Sequence, residues 1–337
     1  MQREQVNEYR LVETQLDREW DIFVAASENG TMFLYSDFLR SLRGNFKPYY
    51  IYHRAELRAA LLCVTTPDGQ EFCSHDYVIY TGILFGAPMH RQNHDQILSE
   101  RFLIATYAAD ELMKRYNKIE LSLHPTIIDV RPFLWVNFGT ELPKFSVNVR
   151  YTSYVDIHDF AQAQKLEDIS IYLKASKSRR QEIRYAIQKK VKTVEEFDAA
   201  RFVDFYARTM NRQDIKVADD VLTEMKDLLV NTYAADLGKM FISYTQDGEP
   251  GSMAYFGIDP KRAYYIFGAN DPALRDEHTG TAVLWDAFSV MSQQGIHEVD
   301  LEGVNSPQRG WFKLSFGGDL RPYFEIVKKM QLNQSIG

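Results

Sequence analysis

The chain has 337 residues, of which 45% are hydrophobic and 13% aromatic, so it can bury sizeable cores, and its length favours two domains. Its net charge of −7 argues against a broad nucleic-acid surface, because binding phosphates needs clustered positive charge. No stretch is long and apolar enough for a membrane span, and the N-terminus lacks the apolar core of a signal peptide, so we expect a cytoplasmic protein. The few Cys and His residues show no metal-ligand spacing, and we expect no metal site.

The first part of the chain alternates helical and strand patterns. Apolar residues at helical spacing mark the helices, and alternating or β-branched runs between turn residues mark the strands. In chain order they predict helices at 16–26 and after Ser36, two strands within 49–64, a strand at 77–85, a helix at 97–116 and a strand at 118–123.

The second part repeats this order after a boundary that we place near Arg150, which gives domains 1–150 and 151–337. It opens with a basic helix within 174–192. The later predicted elements are helices at 197–210 and 219–234, strands at 239–245, 251–258 and 263–268, a helix at 279–294 and a strand at 297–302. The last three echo the strand, helix and strand at 77–123 roughly 180 residues earlier, a spacing that indicates domain duplication rather than a repeat array.

The strand at 263–268 and the helix at 279–294 predict an anion site. The strand ends at Gly268, and the helix begins near Thr279 and Gly280, with Gly295 at the position of a C-cap. Backbone N–H groups at such a helix start and the helix dipole can together hold a phosphate just beyond the strand. The alternative is an ordinary turn, which any α/β protein contains.

This turn resembles that of the acyl-coenzyme A transferases of the GNAT superfamily, whose corresponding helix opens with Gln/Arg-x-x-Gly-x-Gly/Ala. The matching residues are Glu277, Gly280 and Ala282, with Glu277 standing where the family has Gln or Arg. The tail DLEGVNSPQRGWFKLSFGG resembles the ending of Fem-type and related polysaccharide-biosynthesis transferases, which carry two GNAT-like halves in one chain. The positions that match that ending are Asp300, Gly303, Phe312, Lys313, Phe316, Gly317 and Gly318.

The resemblance implies an α/β (α+β) fold of two GNAT-like domains, each a mixed, mostly antiparallel sheet flanked by helices, with the site in the cleft. The first domain would serve as scaffold and for acceptor recognition, and the second would bind acyl-coenzyme A and catalyse. Gly268 would allow the distortion by which strand N–H groups meet the oxyanion, although a plain strand end is the alternative. The residues implied in binding coenzyme A are Phe267, Gly268, Ala269, His278, Thr279, Gly280, Thr281 and Ala282.

Acyl transfer to an amine also needs a group that removes the amine proton. Asp300 and Glu302 lie two residues apart on a predicted strand and so share one face. We favour Glu302 as the base, because the strand is predicted to end there, and Asp300 as an acceptor of structural hydrogen bonds. His278 in the preceding loop is a third candidate.

Two groups of residues are candidates for binding the acceptor. The basic helix, entered through Ser176 or Ser178, resembles the Ser-x-x-x-Arg segment of Fem relatives, with Arg179, Arg180 and Arg184 at the matching positions. Its guanidinium groups could hold a diphosphate, or they could form an ordinary solvated face. The other candidates lie in the tail loop and are Asn305, Arg309, Trp311 and Lys313.

These observations predict an N-acyltransferase that moves an acyl group from acyl-coenzyme A to the amino group of a nucleotide-linked amino sugar, as in lipopolysaccharide or capsule biosynthesis. The sugar comes from the resemblance alone. One alternative is a Fem-type transferase that uses aminoacyl-tRNA to extend a peptidoglycan precursor. The other is a non-catalytic binding module with the same fold. The acyl chain, the sugar and the oligomeric state stay open.

Overall fold

The computed structural model describes residue 6 and residues 8–212 and 214–329. The chain forms two compact units. The first contains the described residues up to Arg150 and those from Pro322 onward, and the second is Tyr151–Arg321. The chain therefore returns to the first unit from Pro322 onward, whereas the sequence predicts a second domain that continues to residue 337. None of the described helices is both long and apolar enough to cross a bilayer.

The elements before residue 146 all lie in the first unit. They are β1 (Tyr9–Glu13), α1 (Arg18–Ala26), α2 (Ser36–Arg40), β2 (Asn45–His53), β3 (Glu56–Thr65), β4 (Glu71–Phe72), β5 (Gly82–Phe85), α3 (His94–Arg115), β6 (Lys118–Ser122) and α4 (Arg131–Leu134).

The later elements form the second unit, except that the first and last of them extend into the first unit. They are β7 (Ser146–Asp156), α5 (Ser170–Lys174), α6 (Lys177–Gln188), β8 (Lys192–Glu195), α7 (Ala199–Asn211), α8 (Asp219–Ala234), β9 (Gly238–Tyr244), β10 (Pro250–Ile258), β11 (Ala263–Asn270), α9 (Thr279–Gln293), β12 (Glu298–Asp300), α10 (Pro307–Leu314) and β13 (Asp319–Lys328).

Each unit contains a mixed sheet. In the first unit the strand order is β1-β2-β3-β4-β6-β13, with β5 also paired to β3, and only β4 and β6 run parallel among the described pairs. In the second unit the order is β7-β12-β11-β10-β9-β8, and only β11 and β12 run parallel among the described pairs. The predicted fold class, a mixed and mostly antiparallel sheet flanked by helices, is confirmed.

A long helix packs on each sheet. α3 buries Ile104, Ala108 and Leu112 in the core of the first unit. α9 buries Val283, Ala287 and Phe288 in the core of the second, and Gly295 follows it with a φ of +88°, the left-handed geometry that favours glycine after a helix. The predicted start, apolar face and end of this helix are confirmed.

Three predicted elements differ from the structure. The strand predicted at 77–85 forms only from Gly82, whose φ of +83° turns the chain at that point. The strand predicted to reach Glu302 ends at Asp300, because Glu302 itself has a left-handed φ of +48°. The predicted loop around Trp311 is the helix α10, which begins at a proline, a residue suited to the first turn.

Candidate active site

β11 and β12 separate soon after they meet. Their pairing consists of Ala263 with Val299 and Tyr264 with Asp300, whereas β11 continues as a strand to Asn270. Along that continuation, β10 alone pairs with β11 among the described strands. At the end of β11 the Thr209 hydroxyl bonds the backbone N–H and C=O of Asn270 at 3.1 and 3.0 Å. The edge of β11 that no described strand pairs is therefore the short segment before Asn270, and a strand edge of this kind can receive an extended ligand.

β11 also contains a bulge. Tyr255 of β10 pairs with Phe267 and the next residue of β10 pairs with Tyr265, so Ile266 is the extra residue. Gly268, which the sequence predicts to allow a distortion of this strand, pairs regularly with Ala254 just beyond the bulge, and its part in meeting an oxyanion stays a prediction. Gly268 also provides space, since an added Cβ would collide with the Tyr265 hydroxyl oxygen.

The start of α9 is open. His278, at a φ of +59°, precedes it, and its side chain makes no capping hydrogen bond. The N–H groups of Thr281 and Ala282 donate to the His278 carbonyl at 3.1 Å, so these two predicted ligands of the coenzyme are already paired. The N–H groups of Thr279 and Gly280 have no acceptor among the described residues. Two donors thus remain at the positive end of the helix dipole.

Cations pair with the carboxylates at this helix start. Glu182, which accepts a hydrogen bond from the Thr281 hydroxyl at 2.7 Å, forms an ion pair with Arg179. Glu277, the acid at the position where GNAT proteins have Gln or Arg, forms an ion pair with Lys189 at 3.0 Å. The His278 ring lies 5.3 Å from the ring of Tyr185 on α6. A Cβ on Gly280 would lie only 2.8 Å from the side-chain oxygen of Asn270, so the position has no room for a side chain without rearrangement.

Arg179 is held by contacts within the fold, and its role in binding substrate stays a prediction. Its guanidinium donates to Ser315 at 2.9 Å and also to the Thr281 hydroxyl, and it lies 4.5 Å and 4.3 Å from the rings of Phe312 and Phe316. Burial lowers the pKa of this guanidinium. Arg179 therefore joins α6 to the start of α9 and to α10 from inside the unit.

The other two predicted arginines lie one turn apart on α6. Arg184 is exposed and donates to the Tyr172 hydroxyl at 2.7 Å. The side chain of Arg180 has no hydrogen-bond or ion-pair partner among the described residues. Both cations remain able to contact a ligand.

Two polar residues of the tail motif are used by the fold. Asp300 is fully buried and accepts hydrogen bonds from the Thr152 hydroxyl and, at 2.9 Å, from the N–H of Glu302, in keeping with its expected structural role. Asn305 accepts from the N–H of Tyr151 at 2.7 Å and donates to its carbonyl at 2.9 Å. The amide of Asn305 is thereby bonded to the backbone, and its role in binding substrate stays a prediction.

Glu302 is a buried carboxyl with an unmet hydrogen-bonding atom. It is 5% exposed, and its Oε1 atom has no hydrogen-bond partner among the described residues. Burial, and then the neighbouring Asp300 carboxylate, raise its pKa well above the usual range, while Lys313 opposes the shift. Lys313 donates to the Glu302 carbonyl at 2.9 Å, and burial lowers its pKa to about 8.

The remaining candidates lie on α10 and β11. Trp311 is 77% exposed, and Arg309 is exposed as well. Sequence reasoning missed Tyr265, which lies among apolar strand residues and gave no separate signal. Its ring centroid is 5.0 Å from the Lys313 ammonium nitrogen. The described residues contain no group of three or more His, Cys, Asp or Glu side chains placed to hold a metal.

Residues 176–311, which include most of this site, match the family model of the acetyltransferase (GNAT) domain. A comparison with curated protein sequences finds no match. Similar solved structures include FemX (TM-score 0.61, 11% identity, covering 94% of this chain and 96% of that one) and a tandem GNAT protein from the clavulanic acid biosynthesis pathway (0.52, 9%, 96% and 98%). Another is L-PGS from Bacillus licheniformis (0.50, 11%, 96% and 94%). The second unit has the fold of a GNAT acetyltransferase domain. The match and the shared fold support the predicted GNAT, Fem-like grouping, whereas the amino-sugar specificity stays a prediction.

Proposed function

We propose that the protein is an N-acyltransferase that transfers an acyl group from acyl-coenzyme A to the amino group of a nucleotide-linked amino sugar. The observation that carries the proposal is the uncapped start of α9 together with the edge of β11 that no described strand pairs after Tyr264. The free N–H groups of Thr279 and Gly280 suit a pyrophosphate, which is negatively charged and rich in acceptor oxygens. The edge of β11 that no described strand pairs suits an extended chain with its own amide groups, such as the pantetheine arm.

Glu302 supports an amine as the acceptor. Its buried Oε1 lacks a donor, and leaving such an atom unpaired costs stability. A substrate ammonium would supply the missing hydrogen bond. Because its pKa is raised, the Glu302 carboxylate is also a stronger base than an exposed glutamate and is better matched to the ammonium proton.

The reaction then needs two transfers of a proton and one exchange of bonds. The Glu302 carboxylate takes the first proton from the ammonium, and the free amine attacks the thioester carbonyl carbon. A C–N bond forms and the C–S bond breaks, so that the sulfur leaves with the bonding electron pair as the coenzyme A thiolate. The second proton passes from the nitrogen to this thiolate or to solvent, which leaves a neutral amide. This thiolate is a stable leaving group and needs little help from an acid.

Arg180 and Arg184 are the cations that we assign to the phosphates of the acceptor. They lie on the same face of α6, since residues four apart on a helix are neighbours. Two guanidinium groups so placed can bind a diphosphate through charge-assisted hydrogen bonds. The sugar itself rests on the resemblance of the tail motif to polysaccharide-biosynthesis transferases.

A second candidate is Fem-type transfer from aminoacyl-tRNA to a peptidoglycan precursor. The observation that favours it is that the Fem-like tail motif lies in the candidate site. Its Lys313 donates a hydrogen bond to the Glu302 carbonyl and lies next to Gly303. Both candidates use an amine acceptor and differ in the acyl donor.

Ligand-dependent stability separates the candidates, because a ligand that binds only the folded protein raises its stability by mass action. Thermal unfolding is followed with acetyl- and longer acyl-coenzyme A, with UDP-linked amino sugars and with aminoacyl-tRNA, and AMP serves as a control without a pyrophosphate. We expect acyl-coenzyme A to stabilise the protein by about 2.7 kcal/mol at a hundredfold excess over its Kd, and AMP to have no effect. Stabilisation by aminoacyl-tRNA alone would favour the Fem-type reaction. Turnover assays with the stabilising pair complete the test, and binding without turnover would indicate a non-catalytic module.

A further inference from the structure

Tyr265 occupies the point at which β11 leaves β12. It follows Tyr264, the last residue of β11 that pairs with β12, and it lies at the start of the bulge around Ile266. In a regular strand, residues three apart point to opposite faces of the sheet. Here the bulge brings Tyr265 and Gly268 to the same face, as the collision of a Gly268 Cβ with the Tyr265 hydroxyl oxygen demonstrates.

The hydroxyl therefore lies directly over the strand backbone at Gly268. No described strand pairs with the far side of β11 at this point, and the proposed function places the pantetheine arm of the thioester along that edge. The ring contacts Phe256 at 5.4 Å between centroids and lies 5.0 Å from the Lys313 ammonium nitrogen, which in turn bonds the Glu302 carbonyl. The Tyr265 side chain thus lies against β11 at Gly268 and also against Lys313, which bonds the proposed base Glu302.

The hydroxyl is equipped to donate a hydrogen bond. It has no hydrogen-bond partner among the described residues, and Tyr265 is half-buried, so a ligand can reach the hydroxyl. Burial raises the pKa of Tyr265, so its phenol keeps its proton at neutral pH. The cations of Lys313 and Arg309 lie nearby and favour the accumulation of negative charge in this region.

We propose that the Tyr265 hydroxyl donates a hydrogen bond to the thioester carbonyl oxygen as it becomes an oxyanion, so that Tyr265 is a catalytic residue of the acyl transfer. This inference rests on the proposed function. No proton leaves Tyr265 in the step. A donor that is fixed before the reaction stabilises the developing charge without reorganising at that moment.

The test is Tyr265→Phe, which removes one oxygen and keeps the ring. Loss of a single oxyanion donor typically lowers kcat by about a hundredfold to a thousandfold. We expect a fall of that order in kcat, with the Kd of acyl-coenzyme A, measured by calorimetry, changed by less than about threefold. Tyr206→Phe is the matched control, since Tyr206 is also partly buried near Arg309 but packs on Phe267, and it should keep kcat within about threefold.

Gly268→Ala is the second variant and tests the same point without touching Tyr265. Its added methyl group must displace the hydroxyl, so kcat should fall while acyl-coenzyme A still binds. If Tyr265→Phe is folded and keeps kcat, or if Tyr206→Phe loses as much, the inference is overturned and the proposed function stands. If the wild-type protein transfers no acyl group from any thioester, both the proposed function and this inference fail.

Discussion

The two long helices α3 and α9 follow a strand in the same order of elements, but they begin in opposite ways. The side chain of Asn93 accepts from the N–H of Gln96, and the side chain of Gln96 accepts from the N–H of Asn93, each at 2.9 Å. This capping box pairs two backbone donors that a helix start otherwise leaves free. α9 begins after His278 with no side-chain cap.

The strands beside these helices differ in the same sense. In the first unit the N–H of Thr81 donates to the Ser122 carbonyl at 2.8 Å, and its hydroxyl accepts from the Ser122 N–H at 3.2 Å, so the gap beside β6 is bridged. In the second unit β11 and β12 separate after Tyr264, and the buried Glu302 Oε1 also lacks a partner among the described residues. Unpaired polar groups cost stability, and proteins concentrate them where a ligand or a reaction uses them. On this ground we propose that the donor site belongs to the second unit.

The largest expected effect comes from removing the buried carboxylate of Glu302. Glu302→Gln keeps the shape of the side chain and cannot take a proton, so turnover should fall by about a hundredfold to ten-thousandfold. The loss should shrink as pH rises, because the amine substrate then loses its proton without help. Glu249→Gln, an exposed carboxyl in the same unit, is the control and should leave turnover unchanged. Turnover of Glu302→Gln within about threefold of wild type at neutral pH would move the base elsewhere, with His278 the next residue to test.

The same variant should be more stable than the wild type at neutral pH. The folded-state pKa of Glu302 lies above its unfolded value, so its contribution to the free energy of unfolding is present below about pH 4.5 and is lost as pH rises through the folded-state pKa. Each pKa unit of difference corresponds to about 1.4 kcal/mol. Urea unfolding at pH 5 and pH 7 should show the advantage of Glu302→Gln growing with pH, whereas that of Glu249→Gln should stay constant. An advantage that is equal at both pH values contradicts the raised pKa.

Gly280→Asp tests the open helix start. A carboxylate there would meet the approaching pyrophosphate and would also crowd the Asn270 side chain, so acyl-coenzyme A binding should weaken at least tenfold, or about 1.4 kcal/mol. Calorimetry gives the affinity, and a thermal melt checks folding. Gln246→Asp, at an exposed position of the same unit, is the control for added charge. Equal affinities in a folded Gly280→Asp protein would exclude this helix start as the coenzyme site.

Sequence reasoning reached the local features of this site and missed the tertiary ones. The start of α9, its Gly280 and the cap of α6 at Ser176 follow from residue types and spacing, which act within a few residues. The burial of Arg179 between Phe312 and Phe316 depends on residues more than a hundred positions apart, which no local pattern connects. The bulge at Ile266 was missed for a similar reason, since it is defined by the register of two strands.

The smallest effect is expected at the closed helix start, where Asn93→Ala removes the cap of α3. The cap only pairs a backbone donor, so its loss should lower the free energy of unfolding by about 1 kcal/mol, within a range of about 0.5–2. Acyl-coenzyme A affinity should not change, because this helix start is not a ligand site under our proposal. Urea unfolding measures the first quantity and calorimetry the second, with Gly280→Asp as the converse case of lost affinity. Should Asn93→Ala weaken acyl-coenzyme A binding by tenfold at unchanged folding, the capping box would not mark the difference in role between the two helix starts, and the donor site could no longer be assigned to the second unit on that ground.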